Sequence, residues 1–286
     1  MKNAKLICLI GDPVEHSISP IIHNEVFRAL NLNYVYLAFK VPPENLVDAV
    51  KGLRALGVVG FNVTIPHKVS VMRYLDELSP DAEVVGSVNT VVNRGGRLVG
   101  YNTDYLGVMN TFKNLGIRLE GTSVTVLGAG GASRAVVYAL VLSGVERVFI
   151  VNRTLERAIS LVSEFSSKFP NICLTPMSLT MENLREAIQK SHLIINTTSV
   201  GMYPRTEESL VPSELLRSDL VVMDIVYNPL ETKLLRDAKA KDAKIIDGVG
   251  MLVYQAAASF KLWVGIDPPL DLMFKVAYSS LRQLSG

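Results

Sequence analysis

From Lys5 to Ile246 short apolar runs alternate with stretches whose apolar residues recur every three to four positions, and nothing else in the chain constrains its fold as strongly. A short apolar run between turn residues is the pattern of a strand buried on both faces; the recurring stripe is that of an amphipathic helix. Their regular succession predicts an α/β protein whose mainly parallel sheets carry helices on their faces.

In the first half, Lys5–Ile10 reads as a strand, and Ser19-Pro20 as an N-cap followed by proline at N1. The helix after it is striped by Ile21, Ile22, Val26, Phe27 and Leu30. Strands are predicted at Tyr34–Val41 and Val58–Val63, and helices at Pro43–Leu56 and Lys68–Leu78. Ser87–Asn93 and Arg97–Tyr101 flank Arg94-Gly95-Gly96 as a hairpin. A helix at Tyr105–Leu115 leads into a second alternation: strand Ser123–Leu127, helix Gly131–Leu142, strand Arg147–Val151, helix Thr154–Phe165. Weaker elements follow at Glu182–Gln189, Leu193–Asn196, Leu220–Asp224, Glu231–Ala240 and Lys244–Ile246, and then two helices, Met251–Val264 and Leu270–Leu284. The methionines and aromatics of these two helices (Met251, Phe260, Trp263, Met273, Phe274) read as core.

The 286 residues suit two domains. No Pro/Ser-rich linker separates them, so the joins fall on the helices near Tyr105–Leu115 and Met251–Val264. The expected division is residues 1–104, joined by the returning 249–286, and residues 105–248. With 49% apolar and 20% charged residues, a full core is available and wholesale disorder is excluded. A formal net charge of +2 gives no electrostatic reason to expect nucleic acid or an anionic membrane as partner. Cys8 and Cys173 each stand inside an apolar stretch, which argues against a disulfide framework or a thiolate metal site and for a reducing compartment. Leu6–Ile10 is too short for a signal-peptide core of ~7–15 residues. Ala135–Leu142, the longest uncharged apolar run, falls far below the ~18 residues of a membrane span. A soluble, cytoplasmic protein is expected.

Chemistry gathers in two places. Val124-Thr-Val-Leu-Gly128-Ala129-Gly130-Gly131-Ala132-Ser133-Arg134 is a strand running into glycines and then a helix. There the backbone can approach a pyrophosphate, and the first amides of the helix face its charge. Ser133 replaces the third glycine of the GxGxxG pattern, yet the following strand at βαβ spacing supports a Rossmann-like dinucleotide-binding domain. Where an NAD-preferring domain places an acid for the ribose 2′-hydroxyl, this chain has Asn152-Arg153-Thr154, with Arg157 a helical turn on. Guanidinium groups suit a 2′-phosphate, so NADP is the expected cofactor. The alternative is that both arginines are solvated residues of a helix start.

The second place is a set of polar clusters at or just beyond predicted strand ends: Asp12-Pro-Val-Glu-His-Ser17-Ile-Ser19-Pro20, Asn62-Val-Thr64-Ile-Pro-His67-Lys68, Ser87-Val-Asn89-Thr90 and Tyr101-Asn-Thr-Asp104. Hydroxyls, amides, a lysine and a carboxylate suit a small hydroxylated ligand bound outside the carboxyl ends of strands. Each cluster alone is equally read as turn and capping chemistry, and Asp104 stands where it would cap the helix after it. His16, His23, His67 and His192 form no metal-binding spacing, and no Gly-x-Ser-x-Gly elbow occurs, so neither a metal nor a serine nucleophile is expected.

These motifs, continued by Gly86-Ser-Val-Asn-Thr90, Asn102-Thr-Asp104, Asn196-Thr-Thr-Ser-Val-Gly-Met202, Asp224-Ile-Val-Tyr-Asn-Pro229 and Asp247-Gly-Val-Gly-Met-Leu-Val-Tyr-Gln255, run in order through essentially the whole chain. In that order the sequence resembles the shikimate dehydrogenases. The resemblance implies reversible reduction of 3-dehydroshikimate to shikimate by NADPH in aromatic amino acid biosynthesis, on two α/β domains flanking a cleft that opens and closes. The first would be the substrate-binding and catalytic domain, the second would hold NADP. By motif position, Lys68 and Asp104 form the catalytic pair. Ser17, Ser19, Thr64, Lys68, Asn89, Asp104, Tyr227 and Gln255 bind substrate. Gly128, Ala129, Gly130, Gly131, Ala132, Asn152, Arg153, Thr154, Arg157, Ile225 and Gly248 hold the cofactor. Tyr254 departs from the small residue frequent in relatives, with a consequence for pocket shape. The length suits a stand-alone enzyme, a monomer or homodimer. Two rival readings are a quinate/shikimate dehydrogenase with relaxed cofactor choice, and a non-catalytic sensor or repressor. Against the first stands the missing acid after the second strand; against the other, the presence of both Lys68 and Asp104 and the lack of an appended basic segment.

Overall fold

A computed structural model describes residues 4–284 of the chain. It divides into two compact units: residues up to Gly107 with Val253–Leu284, and Val108–Leu252. In the first unit β1 (Lys5–Gly11), α1 (Ser19–Ala29), β2 (Tyr34–Lys40), α2 (Leu46–Ala55) and β3 (Gly60–Val63) follow the predicted alternation. They are succeeded by β4 (Glu77–Leu78), α3 (Pro80–Val85), the hairpin β5 (Thr90–Arg94) and β6 (Arg97–Tyr101), and by α4 (Asp104–Asn114), whose residues from Val108 on belong to the second unit. The second unit holds β7 (Ser123–Leu127), α5 (Gly131–Leu142), β8 (Arg147–Asn152), α6 (Leu155–Lys168), β9 (Cys173–Ser178), α7 (Met181–Gln189), β10 (Leu193–Asn196), β11 (Val221–Asp224), α8 (Lys233–Lys239) and β12 (Lys244–Ile246). Helices α9 (Val249–Val264) and α10 (Leu270–Leu284) return the chain to the first unit.

The first sheet has the order β2-β1-β3-β5-β6-β4. It is parallel at three pairings and antiparallel at the two that involve β5. Gly95 and Gly96 close that hairpin with φ of 63° and 94°, a left-handed turn that glycine adopts without steric penalty. Ile7, Cys8, Leu9 and Ile10 of β1 are all buried, which explains the unbroken apolar run of a strand covered on both faces. Returning to this sheet, α9 seats Trp263, whose indole N–H donates to the Val91 carbonyl at 2.9 Å. Met251, Phe260, Trp263 and Met273 are buried, as expected of core, while Phe274 is half-buried against Tyr254.

The segment Lys68–Leu78 is not the predicted helix. It forms one 3₁₀ turn (Ser70–Tyr74) and then β4. Long-range pairing overrides its periodicity: Asp76 N–H donates to Leu98 O (3.0 Å), and Leu98 N–H donates to the Asp76 carboxylate (2.6 Å). Nor was α3 anticipated, although Ser79 caps it by accepting from Ala82 N–H and Gly86 ends it at φ 68°. Ser19 lies inside α1 rather than capping it, and Ser17 Oγ accepts from Ser19 N–H at 3.3 Å.

The second sheet, β12-β11-β10-β7-β8-β9, is parallel throughout. Its first strand in sequence, β7, lies inside it, so the chain winds outward in one direction and then in the other, the doubly wound order of dinucleotide-binding domains. The switch point lies between β7 and β10. Ala135–Leu140 of α5 are buried on every side, whereas α6 turns only Ala158, Leu161 and Phe165 inward. Strand β9 was unanticipated, and Cys173 at its start is exposed rather than enclosed in an apolar stretch. Cys8 is the enclosed one: burial pushes its thiol up to about 12. Among the described residues no helix is long and apolar enough to cross a membrane, and no cluster of His, Cys, Asp or Glu side chains has the makings of a metal centre.

Candidate active site

Strand register gathers the polar clusters of the first unit on one rim. β1 and β3 are parallel, so the loops after them leave from the same end of the sheet. They are zipped together by Thr64 N–H to Ile10 O (2.9 Å) and Asp12 N–H to Ile65 O (2.8 Å). β5 runs antiparallel to β3, with Asn62 opposite Thr90, which brings Ser87–Asn89 to this same end. Thr90 in turn pairs with Tyr101, the last residue of β6, and so delivers Asn102–Asp104 there too. Ser17 and Ser19 lie beyond β1, and Thr64 beyond β3.

At the centre of the rim, Lys68 Nζ donates to Asp104 Oδ2. The two side chains are 15% and 4% exposed, so the pair is shielded yet its lysine still reaches solvent. Asn89 Nδ2 donates to Asp104 Oδ1 at 2.8 Å and lies 3.2 Å from Gln255 Oε1. Asp104 does not cap α4 as its position suggested; Asn102 Oδ1 accepts from the Asp104 and Tyr105 amides instead (3.1 and 3.4 Å). The carboxylate is thereby free to serve Lys68 and Asn89. His67, adjacent in sequence, points away: it is buried, with Nε2 2.6 Å from the Val41 carbonyl. Tyr254 packs edge-on against Phe274, ring centroids 5.3 Å apart.

In the second unit the glycine turn sits at the switch point. Gly128 adopts φ 110°, and a Cβ there would meet Thr197 Oγ1 at 2.7 Å, so only glycine fits. Gly130 is exposed, with no atom within 4 Å of where its Cβ would be, leaving room for a ligand to approach the backbone. Ser133, in place of a third glycine, is buried where α5 crosses the sheet. Its Oγ accepts from Gly130 N–H (3.0 Å) and bonds Thr197 Oγ1 (2.6 Å), tying the turn to the end of β10. Ala129, Gly131 and Ala132 are half-buried around this turn. After β8, Asn152 Nδ2 donates to Thr154 O at 2.8 Å and shapes the turn that carries Arg153. Arg153, Thr154 and Arg157 are exposed, and neither guanidinium has an ion-pair partner among the described residues. A glycine cradle beside two uncommitted arginines fits a phosphorylated dinucleotide. Gly248 lies against the Ile225 carbonyl, 2.5 Å from where its Cβ would be, so Ile225 and Gly248 share one corner of this unit. Tyr227 belongs to the same unit, on the loop after β11.

That loop is anchored by Asp224, which sequence reasoning did not single out as a site residue. Its buried carboxylate accepts from Thr232 Oγ1 (2.7 Å), Asn196 Nδ2 (2.9 Å) and Val226 N–H (3.0 Å). Desolvation nonetheless dominates and pushes its pKa up to about 6. Thr90 and Thr103 stand in the predicted polar clusters without an assigned role, and Ser259 was missed; the buried hydroxyls of all three back the Asn89–Asp104 contact. The signal for Ser259 was its position one helical turn beyond Gln255, on the same face of α9.

A polar rim with a lysine–carboxylate pair on one α/β unit, and a doubly wound glycine-turn unit after it, define a nicotinamide-dependent oxidoreductase. Residues 9–91 match the shikimate dehydrogenase substrate binding domain, 111–236 the shikimate/quinate 5-dehydrogenase family, and 248–278 the shikimate 5'-dehydrogenase C-terminal domain. A shikimate dehydrogenase (NADP(+)) of Thermococcus kodakarensis is 47% identical over 279 residues, covering 98% of each chain. A crystal structure of a shikimate dehydrogenase in complex with NADP+ matches with a TM-score of 0.89 at 44% identity, covering 98% of both chains. The shikimate 5-dehydrogenase of Thermus thermophilus in complex with NADP(H) and shikimate matches with a TM-score of 0.85 at 38% identity, covering 97% of this chain and all of that one. The chain belongs to the shikimate dehydrogenase family.

Proposed function

We propose that this protein catalyses the reversible NADPH-dependent reduction of 3-dehydroshikimate to shikimate, an oxidation–reduction at a single CH–OH carbon. The observation that carries the reading is the shielded Lys68–Asp104 pair, steadied by Asn89 on the rim where the loops after β1, β3 and β6 meet. The bound nicotinamide supplies the hydride. The chain's own residues must orient the carbonyl and exchange one proton with its oxygen. Lys68 delivers that proton in reduction and withdraws one in oxidation, while Asp104 holds the ammonium or shares its proton.

Substrate hydroxyls and carboxylate fall to Ser17, Ser19, Thr64, Asn89, Gln255 and Tyr227. The two serines suit the carboxylate, since their hydroxyls and neighbouring amides stand at the start of α1. In the second unit the Gly128–Ala132 turn holds the pyrophosphate, Asn152-Arg153-Thr154 with Arg157 holds the 2′-phosphate, and Ile225 and Gly248 complete the cofactor site. The first unit is thus the substrate domain and the second the NADP domain. A monomer or homodimer working in the cytoplasm fits this reading.

Initial rates, followed by nicotinamide absorbance, test it. Shikimate with NADP is expected to give the highest kcat/KM among the four combinations of shikimate or quinate with NADP or NAD. Comparable rates on quinate, or with NAD, favour a quinate/shikimate dehydrogenase. No turnover with any combination refutes the enzymatic reading.

A further inference from the structure

We propose that Ser259 is a positioning residue for the Lys68–Asp104 pair, acting through Thr103 and Asn89; the inference rests on the acid–base reading of that pair. Ser259 has no solvent exposure and stands where four pieces of the first unit converge. Its Oγ lies 2.7 Å from Thr90 Oγ1 on β5 and 3.0 Å from Thr103 Oγ1 before α4. It also accepts from Asn62 Nδ2 on β3 at 3.3 Å, and lies 3.0 Å from the Gln255 carbonyl one turn back on α9. Asn62 is itself held by the buried Tyr36 hydroxyl, which donates to Asn62 Oδ1 at 2.7 Å.

The consequence for the site follows from which atoms must donate. Thr103 N–H can only donate, and it donates to Asn89 Oδ1 at 2.7 Å, so the Asn89 amide has one orientation. Its Nδ2 then faces Asp104 Oδ1 and Thr103 Oγ1, both at 2.8 Å. With Oδ1 engaged by Asn89, Oδ2 is left for Lys68. Having accepted from Asn89, Thr103 Oγ1 needs an acceptor for its own proton, and Ser259 Oγ is in reach. Thr90 Oγ1 closes the ring: it lies beside both hydroxyls and donates to Asn89 Oδ1 at 3.1 Å. Buried rings of this kind polarise one another and pin each member, whereas one lost hydroxyl leaves its neighbours unsatisfied. Without the Ser259 hydroxyl, Thr103 loses its nearer acceptor and keeps only Thr90 Oγ1 at 3.3 Å. Its own hydroxyl can then turn toward the Asp104 side, and Asn89 no longer holds the carboxylate in one place.

Ser259→Ala is expected to lower kcat by ~5–20-fold, the scale of one buried hydrogen bond, with KM for NADP unchanged. The pH profile of kcat is expected to move along the limb governed by the acid–base pair. Thr103→Val removes the adjoining hydroxyl at nearly constant volume and should give the same defect. The double variant should be no worse than either single one, because both break one ring. Ser191→Ala, which deletes a buried hydroxyl in the second unit, serves as the comparison for a purely structural loss. If Ser259→Ala and Thr103→Val keep wild-type kcat and pH profile while losing only thermal stability, as Ser191→Ala should, the inference is overturned. Should Ser259→Ala fail to fold, Thr103→Val alone decides between the same two outcomes. Lys68→Ala separates the two levels. A normal kcat there refutes the acid–base reading itself, whereas a collapsed kcat beside normal Ser259 and Thr103 variants refutes only the positioning role.

Discussion

At the scale of single residues, the pairing of Lys68 with Asp104 costs desolvation of two charges, and the geometry offsets it. Asp104 has partners on both carboxylate oxygens, Lys68 on one and Asn89 on the other. A buried pair kept in this way is weak evidence for stability and stronger evidence for a site that needs a charged, oriented group. Positioned acid–base groups contribute ~10²–10⁴-fold, so Lys68→Ala should cut kcat by that order while shikimate KM stays within a few-fold. Asp104→Asn should lower kcat and also disturb KM, since the family resemblance also implies a substrate contact for this carboxylate. Steady-state kinetics with shikimate and NADP measures both. If Lys68→Ala loses binding but turns over normally, the lysine is a substrate clamp, and proton transfer passes to Asp104 or to water.

Elements decide what the residues face. The turn between β8 and α6 is set by the Asn152 side chain bridging to Thr154 O, which leaves Arg153 at its apex and Arg157 one helical turn on. Both guanidinium groups remain uncommitted, while Arg134 at the start of α5 is held by Glu164 through two 2.8 Å contacts. Arg134 also holds the Glu164 carboxyl below the usual carboxylate range. A 2′-phosphate would therefore find its charge partners in Arg153 and Arg157 rather than in Arg134. Losing one charge-assisted contact of this type removes roughly 10–150-fold in affinity, so Arg153→Ala should weaken NADP by that range and NAD little. Titration of each cofactor by fluorescence distinguishes this from an equal loss for both, the sign that Arg153 supports the turn and not the phosphate.

For the whole molecule, Asp224 couples folding to pH. Burial raises its folded pKa to about 6, whereas an unfolded aspartate releases its proton near 3.8. Between those values the folded chain holds a proton that the unfolded chain has lost, so the Asp224 contribution to stability falls as pH rises and is smallest above pH 6. Asp224→Asn keeps the shape and titrates nothing. The stability of the wild type relative to this variant should therefore decline by about 2 kcal/mol from pH 4 to pH 7, read from urea unfolding at several pH values. A difference that is flat or grows with pH would show that the three donors, and not desolvation, govern the group.

Whatever is written in consecutive residues is legible without the fold. The alternation of apolar runs and stripes specified two α/β units, and the strand–glycine–helix signal placed α5 at Gly131–Leu142, where the structure has it. The motifs brought Lys68, Asn89, Asp104 and Gln255 forward, and these four do converge. Features that depend on partners far away along the chain arise only once the elements have packed. The stretch Lys68–Leu78 has helical periodicity, but Asp76 is claimed by Leu98 and leads the chain into the edge strand β4. The capping of α4 by Asn102 frees Asp104 for Lys68, a choice between neighbouring polar residues that periodicity does not make. Ser259 carries no motif, and its three hydroxyl and amide neighbours come from β3, β5 and the loop before α4. Local signals fix elements because helix and strand are short-range arrangements of the backbone. A buried hydrogen-bond network exists only after those elements have packed, which is why its members could not be told from ordinary serines and threonines in the sequence.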